Sequence, residues 1–195
     1  AIAIITISTC LFKNGYGSFG ISLRDSALQV TSISSTSGFA NTDFDLWPSF
    51  AKTILFLLYF MGGCAGSTAG GLKVVRITVL YKLVKREIKK TIHPKAVVPI
   101  RLNGKNLSEQ VVLGICAFAA VYFFVFSFST AIITLDGHDI RTSMSSVATF
   151  LSNVGPGFSK VGPTKNFTFF NWAYKLYFSF LMLLGRLEFF TLIAL

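Results

Sequence analysis

The stretch Gly62-Gly63-Cys64-Ala65-Gly66-Ser67-Thr68-Ala69-Gly70-Gly71-Leu72-Lys73 interrupts a segment that otherwise reads as a membrane helix. An apolar run from Leu46 to Met61 meets five glycines and resumes as an amphipathic helix from Leu72. Glycines this dense free the backbone and remove side-chain packing, so a regular helix is not expected across them. Unwound backbone at membrane depth is tolerated only where it is buried in protein or lines a watery path. A phosphate-binding loop would need Lys directly after the closing glycine, then Ser or Thr. Here Gly71 is followed by Leu72, Lys73 and Val74. A dinucleotide loop would need a preceding strand in a βαβ unit, and none is in view. Two readings stay open on local grounds: a pathway or gate, and a helix–helix contact made by small residues.

Composition places the chain in a membrane. Apolar residues make up 52% of it and charged residues only 13%, about half the charge share of a soluble domain. Val111–Leu135 carries no charge and is long enough for a hydrocarbon core of about 30 Å. Leu46–Gly63 and Phe167–Leu195 are two further candidate spans, while Ala1–Phe12 is apolar but too short. The chain begins and ends inside apolar runs, so it reads as a piece of a larger polytopic protein.

The net charge of +10 has one main source. Lys73, Arg76, Lys82, Lys85, Arg86, Lys89, Lys90, Lys95, Arg101 and Lys105 face a single acid, Glu87, in that interval. Between two membrane segments this follows the positive-inside rule and predicts a cytoplasmic location, not nucleic-acid binding. Cys10, Cys64 and Cys116 have neither metal-ligand nor disulfide spacing, and His93 and His138 stand apart from any ligand cluster. The spans hold no His pair, carboxylate pair or Ser–Lys arrangement, which argues against an enzyme.

Two parts of the chain follow one plan. Ser22–Ser34 is short and mildly amphipathic, leads to Ser35-Thr36-Ser37-Gly38-Phe39-Ala40, and is followed by a polar patch to Asp45 and a long apolar segment. Asp139–Ser152 is again short, leads to Asn153-Val154-Gly155-Pro156-Gly157-Phe158, and is followed by a polar patch to Asn166 and the last apolar segment. Each unit is a span, a half-length pore helix, a glycine turn and a second span. With the basic segment cytoplasmic, Asp139–Ser152 must dip into the membrane and return, and both turns open toward the external face. A short helix then aims its partially negative end at mid-membrane. The extended residues after it turn carbonyls toward an axis where they can replace a cation's water shell.

These residues resemble the Trk/Ktr/HKT superfamily of potassium transporters, and within it the bacterial Trk-type membrane subunits. Members look like four fused potassium-channel subunits around one pore, with one key glycine in each filter strand. Gly38 and Gly155 match those glycines. Gly62–Lys73 resembles the family's intramembrane loop, which breaks the second span of the third repeat below the filter. His93-Pro94-Lys95-Ala96-Val97-Val98-Pro99 resembles the linker into the fourth repeat, and Leu184-Gly185-Arg186-Leu187-Glu188 the motif in the last pore-lining helix.

The resemblance implies an all-α polytopic membrane protein of span–pore helix–filter–span repeats, present here as a fragment: third repeat 1–92, cytoplasmic linker 93–107, fourth repeat 108–195. It implies potassium uptake across the bacterial inner membrane, with K⁺ as the transported ion and no covalently bound cofactor. Thr36, Ser37, Gly38, Asn153, Val154 and Gly155 are the expected ion-coordinating positions. Gly62, Gly63, Gly66, Ser67, Thr68, Gly70, Gly71 and Arg186 are the expected gate. A cytosolic nucleotide-binding regulatory subunit, a homodimer of the full-length protein and membrane lipid are the implied partners, with no nucleic acid. The alternatives are a non-conducting membrane assembly subunit and a Na⁺-permeable relative, because ion choice depends on all four strands.

Overall fold

A computed structural model describes residues 1–64, 66–67, 69–93, 98–102 and 104–186. Ala65 and Thr68 of the glycine stretch, residues 94–97 of the linker, and Leu187 and Glu188 of the final motif lie outside the described residues. Helix α1 (Ile2–Lys13) is followed by a turn at Asn14–Gly17 and by α2 (Phe19–Ser34). Ser18 starts α2: its Oγ accepts the Ile21 N–H at 3.4 Å, filling one of the donors a helix start leaves free. Helix α2 lies along α1 and α3 (Ser49–Tyr59).

The apolar run Leu46–Gly63 does not form one span. A 3₁₀ turn takes up Phe44–Leu46, Pro48 precedes the helix, and α3 has only 11 residues, about half the length needed to cross. Proline lacks the N–H a continuing helix would use, and the glycines that follow Phe60 end it at the other side. Across the break the chain closes on itself: β1 (Met61–Gly62) pairs in parallel with β2 (Leu72–Lys73). Helix α4 (Val74–Ile92) then carries much of the basic segment.

An antiparallel pair, β3 (Arg101–Leu102) with β4 (Lys105–Asn106), leads into α5 (Glu109–Thr134). At 26 residues α5 is about 39 Å long and is the one described helix long and apolar enough to cross a bilayer. Buried Arg86 on α4 pairs with Glu87 and with Glu109 at the start of α5. The hydrogen bond that Arg86 donates to the Glu109 carboxylate raises the Arg86 pKa above its ordinary value, which burial alone would lower.

Helix α6 (Ile140–Leu151) packs between α5 and α7 (Trp172–Arg186), as α2 packs with α1 and α3. Each short helix turns one row of polar residues inward. Ser22, Asp25, Ser26, Gln29 and Ser32 are buried on α2, and Thr142, Ser143, Ser146 and Thr149 recur at the same spacing on α6. Steps of three and four residues keep each set on one helix face. That face backs the turn that follows. Phe158, from the second turn, seats its ring 5.2 Å from Phe44, 5.8 Å from Tyr59 and 6.4 Å from Phe56, locking the two units together through aromatic edges.

Candidate functional site

Both glycine turns adopt one backbone. After α2, the Thr36 N–H donates to the Ile33 carbonyl at 3.0 Å and the Ser37 N–H to the Ser32 carbonyl at 3.0 Å. After α6, the Asn153 N–H donates to Phe150 at 3.1 Å and the Val154 N–H to Thr149 at 3.0 Å. These nested bonds make a Schellman motif, which needs a left-handed residue just past the helix. Thr36 (φ 55°) and Asn153 (φ 56°) supply it, and two residues later Gly38 (φ 75°) and Gly155 (φ 112°) are again positive. The signs therefore alternate along each turn, which re-aims successive carbonyls. A β-branched residue at positive φ is a backbone outlier held by its surroundings, so Thr36 marks where the fold over-determines the chain.

The two turns meet. A Cβ built on Gly38 would overlap the Val154 carbonyl oxygen and lie 3.3 Å from Pro156. No side chain fits there without moving the opposite turn. Gly155 has open space beside it among the described residues, so its requirement for glycine is conformational.

Each turn has polar support behind it. Asn41 Nδ2 donates to Asp25 Oδ1 at 2.8 Å, and Gln29 Nε2 donates to Asn41 Oδ1 at 3.0 Å, so α2 holds the chain just past the first turn. On the second unit, Ser145 Oγ accepts the Phe158 N–H at 2.6 Å, and Thr149 Oγ1 donates to the Pro156 carbonyl at 2.7 Å. Asp45 bridges the units: its Oδ1 accepts the Ser159 N–H at 3.1 Å. None of these supporting residues was singled out from sequence. The inward polar spacing on α2 and α6 was the available signal.

The glycine stretch lies against the base of the second turn. A Cβ on Gly62 would overlap the Gly70 carbonyl, and one on Gly70 would overlap the Ser152 carbonyl and come within 3.3 Å of Asn153 Cβ. Gly71 takes φ 74° to enter the β1–β2 pair. Within the stretch, the Ser67 N–H donates to the Cys64 carbonyl at 2.9 Å, and Ser67 Oγ accepts the Ala69 N–H at 3.1 Å. Gly66 and Ser67 are exposed, with space around Gly66. From the other side, a Cβ on Gly185 of α7 would overlap the Leu151 carbonyl, and Asn153 Nδ2 donates to the Met182 carbonyl at 3.1 Å. Arg186, next to Gly185, is exposed. Gly70 and Gly185 thus approach adjacent carbonyls at the end of α6, where the helix's negative pole lies.

Paired short helices ending in matched glycine turns, next to a helix long and apolar enough to cross a bilayer, define the architecture of a helical membrane protein. The family model for the cation transport protein TrkH matches residues 16–195, and the chain belongs to that family. It is 38% identical over 194 residues to the Trk system potassium uptake protein TrkH of Escherichia coli strain K12, covering 100% of this chain and 40% of that protein. It is 41% identical over 172 residues to the TrkH protein of Vibrio parahaemolyticus, covering 88% of this chain and 35% of that one. The crystal structure of the potassium transporter TrkH from Vibrio parahaemolyticus superposes with a TM-score of 0.91 at 36% identity, over 99% of this chain and 41% of that one. The chain therefore spans about two fifths of the length of these relatives.

Proposed function

We propose that this chain supplies two of the pore-forming repeats of a potassium uptake protein of the bacterial inner membrane, moving K⁺ without covalent chemistry. The third repeat occupies 1–92, a cytoplasmic linker 93–107 and the fourth repeat 108–195. The basic segment faces the cytoplasm, and both glycine turns face outward. The backbone carbonyls of Thr36, Ser37, Gly38, Asn153, Val154 and Gly155 form half of a selectivity filter. The stretch Gly62–Gly71, with Arg186, closes the path beneath it. The observation that carries this reading is the approach of Gly38 to the Val154 carbonyl, because it joins two turns of the same backbone at one axis. By family resemblance, the complete protein works as a homodimer with a cytosolic nucleotide-binding regulatory subunit.

The test is ion flux through the full-length protein in vesicles. Gly38→Ser and Gly155→Ser are expected to lower the preference for K⁺ over Na⁺ while expression is retained. An unchanged preference in both would remove these turns from the filter and favour a membrane assembly subunit whose glycines only pack helices.

A further inference from the structure

A cleft of about 480 Å³ opens between the first turns of α3 and α6, on the side where the two units join. Its wall carries two cations, Lys52 and Arg141, together with the hydroxyls of Ser49 and Thr53 and the apolar surfaces of Phe56 and Met144. Both helices begin here, and neither start is closed by a side-chain cap: the Pro48 side chain has no donor or acceptor to offer, and the Asp139 side chain makes no capping bond. Two positive helix ends therefore add to two cationic side chains. The carboxylate on the wall, Asp45, is turned to the Ser159 N–H and lies 3.8 Å from Lys165 Nζ.

This charge pattern does not suit a cation's entry route, since two positive side chains would repel it. It suits a phosphate. The apolar half of the lining has no use for a free anion but fits the glycerol and upper acyl chain of a lipid. We propose that the cleft is a binding site for an anionic phospholipid of the outer leaflet, with Lys52 and Arg141 holding the headgroup phosphate and Phe56 and Met144 contacting the chain. It rests on the outward orientation of this face in the reading above.

The site reaches the turns through Asp45. Lys52 Nζ donates to the Asp45 carbonyl at 2.9 Å, and the Asp45 carboxylate holds Ser159, just past the second turn. A lipid in the cleft would brace the seam between the units where the segments behind the two filter turns are tied together.

The experiment measures lipid retained by the purified full-length protein, after exchange into vesicles of phosphatidylglycerol or phosphatidylcholine and extraction into detergent. Wild type should retain phosphatidylglycerol in preference. Arg141→Gln with Lys52→Gln should lower that retention by roughly tenfold or more, because both charge-assisted contacts are lost, while Arg141→Lys with Lys52→Arg should keep it. Arg141→Gln alone, at an exposed side chain, should fold normally and show a smaller loss. Equal retention of both lipids, or no loss in the Gln variants, would overturn the proposal. Displacement of the lipid by millimolar inorganic phosphate would reassign the cleft to a free anion and overturn it equally. Retention is read without ion flux, so this result and the potassium reading stand or fall separately.

Discussion

Tyr59 donates a 2.6 Å hydrogen bond from its hydroxyl to the Pro156 carbonyl, joining α3 of one unit to the glycine turn of the other. The same carbonyl accepts Thr149 Oγ1 at 2.7 Å. Two donors occupy its two lone pairs, so this oxygen has no lone pair left for another partner and the turn is held from behind. Tyr59→Phe keeps the ring packing on Phe158 and removes one donor. The expected cost is about 1 kcal/mol, because Thr149 still satisfies the carbonyl. Selectivity should fall more than stability does. Melting temperature and the K⁺/Na⁺ flux ratio measured on the full-length variant separate the two effects, and an unaltered ratio would mean that Tyr59 only packs.

The glycine stretch rests on the Ser152 carbonyl through Gly70, and it has space at its exposed Gly66 end. Backbone with few tertiary contacts rearranges at low cost. Removing residues 64–67 is expected to raise K⁺ flux and weaken its control. Gly70→Ala should shift the stretch away from α6 and act in the same direction, less strongly. A shortened protein that folds yet carries no more flux than wild type would show that the stretch is packing.

Arg86 is nearly buried, whereas its partners Glu87 and Glu109 are largely exposed. Truncating the arginine returns both acids to water, so Arg86→Ala should cost only about 1–2 kcal/mol, much of it lost packing of the aliphatic stem. Pairing raises the Arg86 pKa, so its contribution is fully present below the unfolded value and is lost only as pH rises through the folded one. Both lie far above neutrality, and Arg86 itself should add no slope to stability between pH 6 and 9. Thermal melts of wild type and variant across that range check both statements.

The repeated plan was legible because two half-length, amphipathic segments, each closed by a glycine turn, occupy matching positions ahead of long apolar runs. Both became helices within a few residues of the predicted bounds, α2 over Phe19–Ser34 and α6 over Ile140–Leu151. The left-handed residues Thr36 and Asn153 were less visible. Asn153 has some tendency toward that conformation, but threonine has almost none, so at Thr36 local preference yields to the helix-end bonds and packing. Parallel pairing of Met61–Gly62 with Leu72–Lys73 was hidden for another reason. Two-residue strands have no readable period, and this pair forms only because the glycines let the chain return to its own start. The Asp45–Ser159 tie links residues far apart in the chain and has no local signature at all.

Arg186 follows the glycine at which α7 touches α6. Gly185 lies against the Leu151 carbonyl, Asn153 Nδ2 reaches the Met182 carbonyl, and Gly70 lies against the next carbonyl, that of Ser152. The backbone at Arg186 is therefore one residue from a junction shared with the glycine stretch, at the base of the second turn. An arginine within an apolar segment carries an insertion cost of about 3 kcal/mol, and such residues usually face a bundle interior or a watery cavity. On the path beneath the turns, a fixed positive charge would raise the barrier to a passing cation and could donate to carbonyls of the unwound stretch. Arg186→Ala is expected to increase K⁺ flux. Arg186→Lys keeps the charge but loses the planar fork, so its increase should be smaller. Equal flux in wild type and Arg186→Ala, at matched protein density in vesicles, would place the guanidinium off the path and leave Gly185 alone as the reason for the motif.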